Sequence, residues 1–204
     1  MFEQRTVFHI SGLPTTGKST LITALKEKEV EPSVLFVPEF FDRIPDYVIQ
    51  ADLSDFEGKC KAQRWIIDQN KRKNQLISDS NAKLIVAERG IIDALAFSYA
   101  LGNKVYQDSL LYAETEEWLG GITIFLIAHE NIIKNRLSLR DGVTEDMWEN
   151  YWKPYLTRVL TGYKQTKKTM NRERFIYLNT EKEEEQSVSE IIRLIATIQL
   201  ILSR

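Results

Sequence analysis

The chain has 204 residues, of which 43 % are hydrophobic and 27 % charged, and its formal net charge is −2. A chain of this length and composition buries its own core, so we expect one domain spanning residues 1–204. The small net charge gives no overall attraction to nucleic acid. Cys60 is the only cysteine, which excludes a disulfide framework and favours a reducing cytoplasm. No uncharged apolar run reaches ~18 residues, so we expect neither a signal peptide nor a membrane span.

Short apolar runs alternate with longer periodic segments along the chain. The apolar runs predict strands at residues 6–10, 33–38, 83–87, 122–128 and 174–179. Each run is continuously apolar, as are strands covered on both faces of a parallel sheet. The periodic segments predict helices at 18–28, 57–80, 91–101, 106–119, 130–139, 144–170 and 187–202, the last with a capping box of Ser187 and Glu190. This alternation favours the α/β class, with a three-layer, doubly wound sheet of five parallel strands.

A glycine-rich motif lies between the first predicted strand and the first predicted helix. Its residues fit the pattern G-x-x-x-x-G-K-[ST], in which backbone N–H groups and a helix N-terminus converge on phosphates. Lys18 would then reach the β- and γ-phosphates of ATP, and the Ser19 hydroxyl would ligate Mg²⁺. The predicted ATP-binding residues are Gly12, Thr15, Thr16, Gly17, Lys18, Ser19 and Thr20.

Acidic residues follow the second and third predicted strands, at the sheet edge where ligands of parallel sheets bind. Glu88 lies where a carboxylate can hold Mg²⁺ or its waters. We expect Glu39 to lie beside the strand of the phosphate motif and to accept a proton from a hydroxyl acceptor. The alternatives are a solvated acid for Glu88 and, for Glu39, a surface acid paired with Arg43.

Arg136 and Arg140 are four residues apart on a predicted helix that ends at Asp141 and Gly142. This spacing places both guanidinium groups on one face, where they could neutralise the transferring phosphoryl group. Residues 136–145 therefore predict a helical lid that excludes water from bound nucleotide. The alternative is an exposed basic face.

These motifs together resemble the deoxynucleoside kinase and thymidylate kinase group of P-loop phosphotransferases. The resemblance covers nearly the whole chain and rests on "GLPTTGKST", "PEF", "AERGIIDALAF" and "RLSLR". It implies that Glu39 is the base for a sugar hydroxyl, that Glu88 and Arg89 handle the sugar and phosphates, and that Gln63 reads the base edge beside Trp65. The implied catalytic residues are Lys18, Glu39, Arg89, Arg136 and Arg140, and the acceptor-binding residues are Glu39, Arg43, Gln63, Trp65, Arg89, Asp93 and Phe97.

The sequence shares features with both subfamilies. Gly90 stands where deoxynucleoside kinases usually have Ser, and Asp93, Ala96 and Phe97 follow the spacing of thymidylate kinases. The phosphate motif, however, lacks the acidic residue of thymidylate kinases, and Val37 and Pro38 replace their Arg before Glu39. We expect a nucleoside kinase that uses ATP and Mg²⁺, with a nucleoside monophosphate kinase or a kinase for a non-nucleotide hydroxyl compound as alternatives. A non-catalytic nucleotide binder would have lost the acids and arginines.

Two further patterns have simpler interpretations. Basic residues crowd the segments 59–73 and 164–174, and solvated helix faces explain them. The alternative is contact with a phosphorylated acceptor or a nucleic-acid end, but the sequence has no recognisable nucleic-acid module. Trp148, Tyr151, Trp152 and Tyr155 form a helical stripe, which is typical of helix packing, with homodimerisation or substrate contact as the alternatives.

Overall fold

A five-stranded parallel sheet lies at the centre of the computed structural model, which describes residues 5–27, 34–49, 55–170, 174–181 and 184–202. The strands are β1 Thr6–Gly12, β2 Val34–Val37, β3 Leu84–Glu88, β4 Ile122–Ile127 and β5 Arg174–Asn179. Their order is β2-β3-β1-β4-β5, and every neighbouring pair is parallel. The predicted fold class is confirmed.

The helices of the described residues connect these strands. They are α1 Lys18–Glu27, α2 Asp46–Ile49, α3 Phe56–Asp79, α4 Ile91–Ala100, α5 Asn103–Ala113, α6 Glu130–Asp141, α7 Glu145–Met147, α8 Lys153–Met170 and α9 Glu184–Leu202, with a π-helical turn at Trp148–Trp152. The helix predicted at 144–170 is therefore divided in three, and α2 was not predicted. The predicted capping box is wrong, because α9 begins at Glu184 and Ser187 lies inside it.

Helices cover both faces of the sheet. On one face, α1 and α9 pack their apolar sides against Phe8 and Ile10 of β1 and against β3 and β4. On the other face, Val7 of β1 packs with Ile77 of α3, while α4, α5, α6 and α8 form a further core around Trp148. Alternate residues of β1 thus enter opposite cores, which explains why its sequence is continuously apolar.

The strand order corrects one expectation about Glu39. β3 lies between β2 and β1, so the end of β2 is not beside the strand of the phosphate motif. Glu39 nevertheless comes close to the end of β3, where its carboxylate contacts Arg89.

The end of α6 agrees with the prediction. Gly142 adopts the left-handed conformation (φ 66°), and its N–H donates to the Ser138 carbonyl, which closes the helix after Asp141. Of the helices that the structure describes, none is long and apolar enough to cross a membrane.

Candidate active site

The loop between β1 and α1 has the shape of a phosphate cradle. Thr15 and Gly17 have positive φ angles of 59° and 90°, so successive N–H groups turn toward the same side. Gly12, with φ 141°, lies so close to β4 that a Cβ there would be 2.7 Å from the Leu126 carbonyl oxygen. The loop therefore requires glycine at position 12 for both its conformation and its packing.

Lys18 is folded back onto this loop. Its Nζ donates to the carbonyls of Leu13 at 2.7 Å and Gly12 at 3.3 Å, and the residue is 6 % exposed. Burial, together with the nearby charge of Arg89, lowers the pKa of Lys18 to about 7. An anionic ligand in the cradle would favour the charged form of this ammonium group.

Ser19 and Glu88 provide two neighbouring oxygen atoms at the mouth of the loop. The Ser19 hydroxyl donates to Glu88 Oε1 at 2.7 Å. Hard oxygen donors fit Mg²⁺, which keeps several waters and takes further oxygens from phosphates. This hydroxyl and this carboxylate are oxygens of the kind that fit Mg²⁺. No cluster of three or more His, Cys, Asp or Glu side chains suited to a metal occurs among the described residues.

Arg89 connects the two acidic residues behind the loop. Its Nε lies 2.8 Å from Glu39 Oε1 and its Nη1 3.2 Å from Asp93 Oδ1, and the guanidinium lies over the ring of Phe97. Burial alone would lower the pKa of Arg89, but Glu39 and Asp93 outweigh it and raise the pKa above its usual value. Arg89 therefore stays charged while it holds Glu39 in place.

Asp93 is the second acidic partner of Arg89. Besides that ion pair, its carboxylate accepts hydrogen bonds from the Ser11 hydroxyl at 2.6 Å, the Tyr163 hydroxyl at 2.6 Å and the Gly90 N–H at 3.0 Å. The residue is 2 % exposed. Four donors of the protein, including Arg89, thus contact the Asp93 carboxylate.

A cavity of about 760 Å³ opens above the phosphate loop. Residues 14–21 of the loop and the start of α1 line it, together with Glu39, Glu88 and Arg89. Its other lining residues are Arg136, Leu139 and Arg140 of α6, Thr180 before α9 and Ser187 of α9. The motif residues from Thr15 to Thr20 are thus brought into one site with both predicted lid arginines.

The two lid arginines differ in their contacts. Arg136 is half-buried, and its guanidinium donates to the Thr15 carbonyl of the phosphate loop at 3.0 Å. Arg140 is exposed and pairs with Asp141. Arg136 thus already lies on the loop, whereas Arg140 would have to leave Asp141 to reach a phosphate.

A second cavity of about 200 Å³ lies beside the first, between α3 and α4. Pro14, Glu39 and Arg89 line both cavities, so the two meet at the Glu39–Arg89 pair. The second cavity has aromatic side chains from Phe40, Phe97 and Tyr155, and burial raises the pKa of Tyr155 to about 12.

The structure brings most, but not all, of the predicted acceptor residues to this second cavity. Gln63 lines it, and its buried side-chain oxygen has no hydrogen-bond partner. Trp65 instead lies on the outer side of α3, where its ring contacts Phe40 at a centroid distance of 5.2 Å. Arg43 is exposed and lines neither cavity.

Sequence reasoning missed several lining residues. Phe40, Asn70, Lys73 and Tyr155 line the second cavity, although Lys73 was interpreted as part of a solvated face and Tyr155 as part of a packing stripe. Asn70 and Lys73 follow Gln63 by seven and ten residues on the same helix. This spacing indicates that they lie on the same face of the helix as Gln63.

A phosphate loop at the end of the central strand, with a second cavity beside it, is the arrangement of a P-loop kinase fold. Residues 7–141 match the family described as an AAA domain, and the chain belongs to that family. Among curated proteins, no sequence matches the chain.

Solved structures support the same fold at low sequence identity. Deoxyadenosine kinase from M. mycoides, with dCMP and a flexible dCDP bound, is 16 % identical with a TM-score of 0.72, covering 94 % of this chain and 100 % of that one. Thymidylate kinase from Candida albicans is 15 % identical with a TM-score of 0.69, covering 96 % and 93 %. Thymidylate kinase from Ehrlichia chaffeensis is 16 % identical with a TM-score of 0.61, covering 94 % and 99 %.

Proposed function

We propose that the protein is a kinase that transfers the γ-phosphate of MgATP to a hydroxyl group of a nucleoside. The observation that carries this proposal is the position of Glu39, whose carboxylate lies where the two cavities meet. A donor in the larger cavity and an acceptor in the smaller one would meet at this carboxylate. A carboxylate at that point can accept the proton that a hydroxyl loses when it attacks phosphorus.

The larger cavity supports a nucleoside triphosphate as donor. The cradle loop and Lys18 would hold the phosphates, and Ser19 and Glu88 would hold Mg²⁺, which neutralises charge on the phosphate oxygens. Arg136, fixed on the loop carbonyl of Thr15, would reach the transferring group with little rearrangement. Residues 136–145 would form the lid, since Arg136, Leu139 and Arg140 line the cavity.

The charges around the second cavity favour a hydroxyl acceptor over a phosphate. Arg89 and Lys73 are cations that line this cavity, but Glu39 and Asp93 already balance the charge of Arg89, and the Lys73 ammonium already donates to two backbone carbonyls. A dianionic phosphate would also meet the carboxylate of Glu39 at the junction, which is unfavourable in a partly buried site. A neutral hydroxyl meets no such repulsion.

The lining of the second cavity supports a nucleoside as the acceptor. Phe40, Phe97 and Tyr155 provide aromatic surface for a flat base, and the Gln63 amide can pair with a base edge through its unpartnered oxygen. Deoxyadenosine kinase and thymidylate kinase match the chain almost equally well, so the choice of a nucleoside rests on the lining of the cavity. An acceptor without a donor at that point would leave the Gln63 oxygen without a partner.

In this proposal each residue has a task in the transfer. Arg89 orients Glu39, Glu39 takes the proton of the acceptor hydroxyl, and the phosphoryl group passes to the hydroxyl oxygen in line with the leaving ADP. Lys18 follows the γ-phosphate, and closure of the lid keeps water from competing with the acceptor.

The test is Glu39→Gln, which keeps the shape but removes the basic oxygen. With the best nucleoside from a panel of nucleosides, monophosphates and other alcohols, kcat should fall by ~10²–10⁴-fold while ATP affinity is unchanged. Glu114→Gln, at the exposed C-cap of α5, is the control and should retain wild-type rates. Wild-type kcat in Glu39→Gln would remove the base from the proposal. Activity with monophosphates alone would make the protein a nucleoside monophosphate kinase.

A further inference from the structure

Lys73 is a buried charge that the phosphate transfer described above does not use. It lies on α3, is 2 % exposed and lines the second cavity. Burial lowers the pKa of its ammonium to about 8. A buried ammonium group needs polar partners to compensate for the loss of water. The role of Lys73 is therefore inferred from the groups to which it donates.

The partners of Lys73 are two consecutive backbone carbonyls. Its Nζ donates to the carbonyl oxygen of Glu88 at 2.8 Å and to that of Arg89 at 3.3 Å. Glu88 is the last residue of β3 and Arg89 follows it. The Glu88 side chain reaches Ser19, and the Arg89 side chain reaches Glu39. A single ammonium therefore contacts the backbone of both functional residues.

The turn that Lys73 contacts has a conformation that needs support. Arg89 has φ 58°, in the left-handed region that residues other than glycine seldom adopt. Such a conformation persists only where surrounding contacts hold it. The Arg89 N–H donates to the Ile10 carbonyl at 3.0 Å, and Lys73 secures the carbonyl side of the same peptide.

We propose that Lys73 is a positioning residue that locks the Glu88–Arg89 turn, so that Glu88 faces the Mg²⁺ position and Arg89 faces Glu39. The proposal rests on the proposed function for the tasks of Glu88 and Arg89. Because α3 also carries Gln63 and Asn70 on the cavity, the contact also fixes the turn relative to the acceptor.

The first experiment measures amide hydrogen exchange at residue resolution in the ligand-free protein. In Lys73→Met, which keeps the chain length but lacks the donors, exchange at Arg89 and Gly90 should be at least about ten-fold faster. The strand amides of residues 84–86 should keep wild-type exchange, because the sheet remains intact. Lys71→Met, two residues away and with its ammonium over the ring of Tyr112, is the matched control and should change none of these amides.

The second experiment compares ADP affinity with and without Mg²⁺. Mg²⁺ increases the affinity for ADP by a certain factor, and in Lys73→Met this factor should be at least about five-fold smaller than in the wild type, because Glu88 is no longer held. The affinity for ADP without Mg²⁺ should stay within about two-fold of wild type. Lys73→Arg, which retains donors, should recover part of this loss. A residue that merely supports folding would lower the active fraction and leave both affinities of the folded protein unchanged.

The outcomes separate the two proposals. Unchanged exchange at Arg89 and Gly90, or an equal increase along all of β3, would overturn the positioning role. If Lys73→Met does not fold, the test uses Lys73→Gln, which has one shorter donor. Its amide exchange at Arg89 and Gly90 should also increase, but by a smaller factor. Wild-type exchange at these two amides would overturn the role of Lys73. If the wild type phosphorylates no nucleoside or binds no ADP, the proposed function fails, while the exchange result still decides the role of Lys73.

Discussion

Replacing Lys18 with Met should stabilise the ligand-free protein, although Lys18 is central to the proposed nucleotide site. Lys18 has a pKa of about 7 in the folded chain, against 10.5 for a free lysine. Between these values the unfolded chain binds one more proton than the folded chain. Stability therefore rises with pH across this window, and the penalty for burying Lys18 is greatest at low pH.

The two pKa values set the size of the effect. A lysine with these values destabilises the folded state by about 4 kcal/mol at pH 7 and by about 2 kcal/mol at pH 9. Methionine has no charge to bury, so the gain from Lys18→Met should be about 2 kcal/mol larger at pH 7 than at pH 9. The lost hydrogen bonds to Gly12 and Leu13 reduce the gain at both pH values and leave the difference.

Urea unfolding followed by tryptophan fluorescence at pH 7, 8 and 9 measures this difference. Lys61→Met, at an exposed position on α3, is the control and should show no pH-dependent gain. With saturating MgADP the order should reverse at pH 9, because ligand at about 100 times Kd adds about 2.7 kcal/mol to a protein that binds it. This exceeds the gain of about 2 kcal/mol at that pH, and Lys18→Met binds the ligand poorly. A gain that is equal at pH 7 and pH 9 would refute the argument that burial of a charged Lys18 opposes folding.

Two further predictions concern the lid and the turn after β3. Arg136→Gln should lower kcat by about 10²-fold or more while ATP affinity changes less than about three-fold, because its charge acts on the transferring group. Arg140→Gln should follow the same pattern. Equal losses of kcat, measured by stopped flow, and of ATP affinity, measured by equilibrium binding, would contradict this prediction. Gly90→Ser should cost about 1–3 kcal/mol in urea unfolding, since a Cβ there would lie 2.9 Å from His9 Nδ1. In a His9→Ala background, most of the cost of Gly90→Ser should disappear, because the ring is gone. An equal cost of Gly90→Ser in both backgrounds would show that the two sites are independent.

Local sequence patterns were sufficient to predict the strands and the phosphate loop. Each strand is a continuous apolar run between helical segments, and Gly12 to Ser19 carry a motif whose geometry is encoded within eight residues. The order of the strands could not be predicted, because it depends on which distant segments pair. For that reason Glu39 was expected beside β1, although β3 lies between them.

Residues whose tasks depend on long-range contacts were also missed. Lys73 looks like any other lysine of a basic helix until Glu88 and Arg89 are known to lie against it. The structure likewise explains the glycine at position 90, because the ring of His9 on β1 occupies the space of a side chain. The assignments of catalytic and binding residues, the lid and the cytoplasmic location stay predictions.

The placement of β1 in the sheet has a consequence for how the protein folds. Residues that contact across the site are far apart in the chain, 82 positions for Ser11 and Asp93 and 121 positions for Thr15 and Arg136. Such contacts require the closure of long loops, which slows folding relative to local helix formation. The phosphate loop follows directly from β1 and packs on Leu126 of β4, so it takes its shape only after strands from distant parts of the chain have paired. A folding chain should therefore gain helix content before it gains the ability to bind nucleotide.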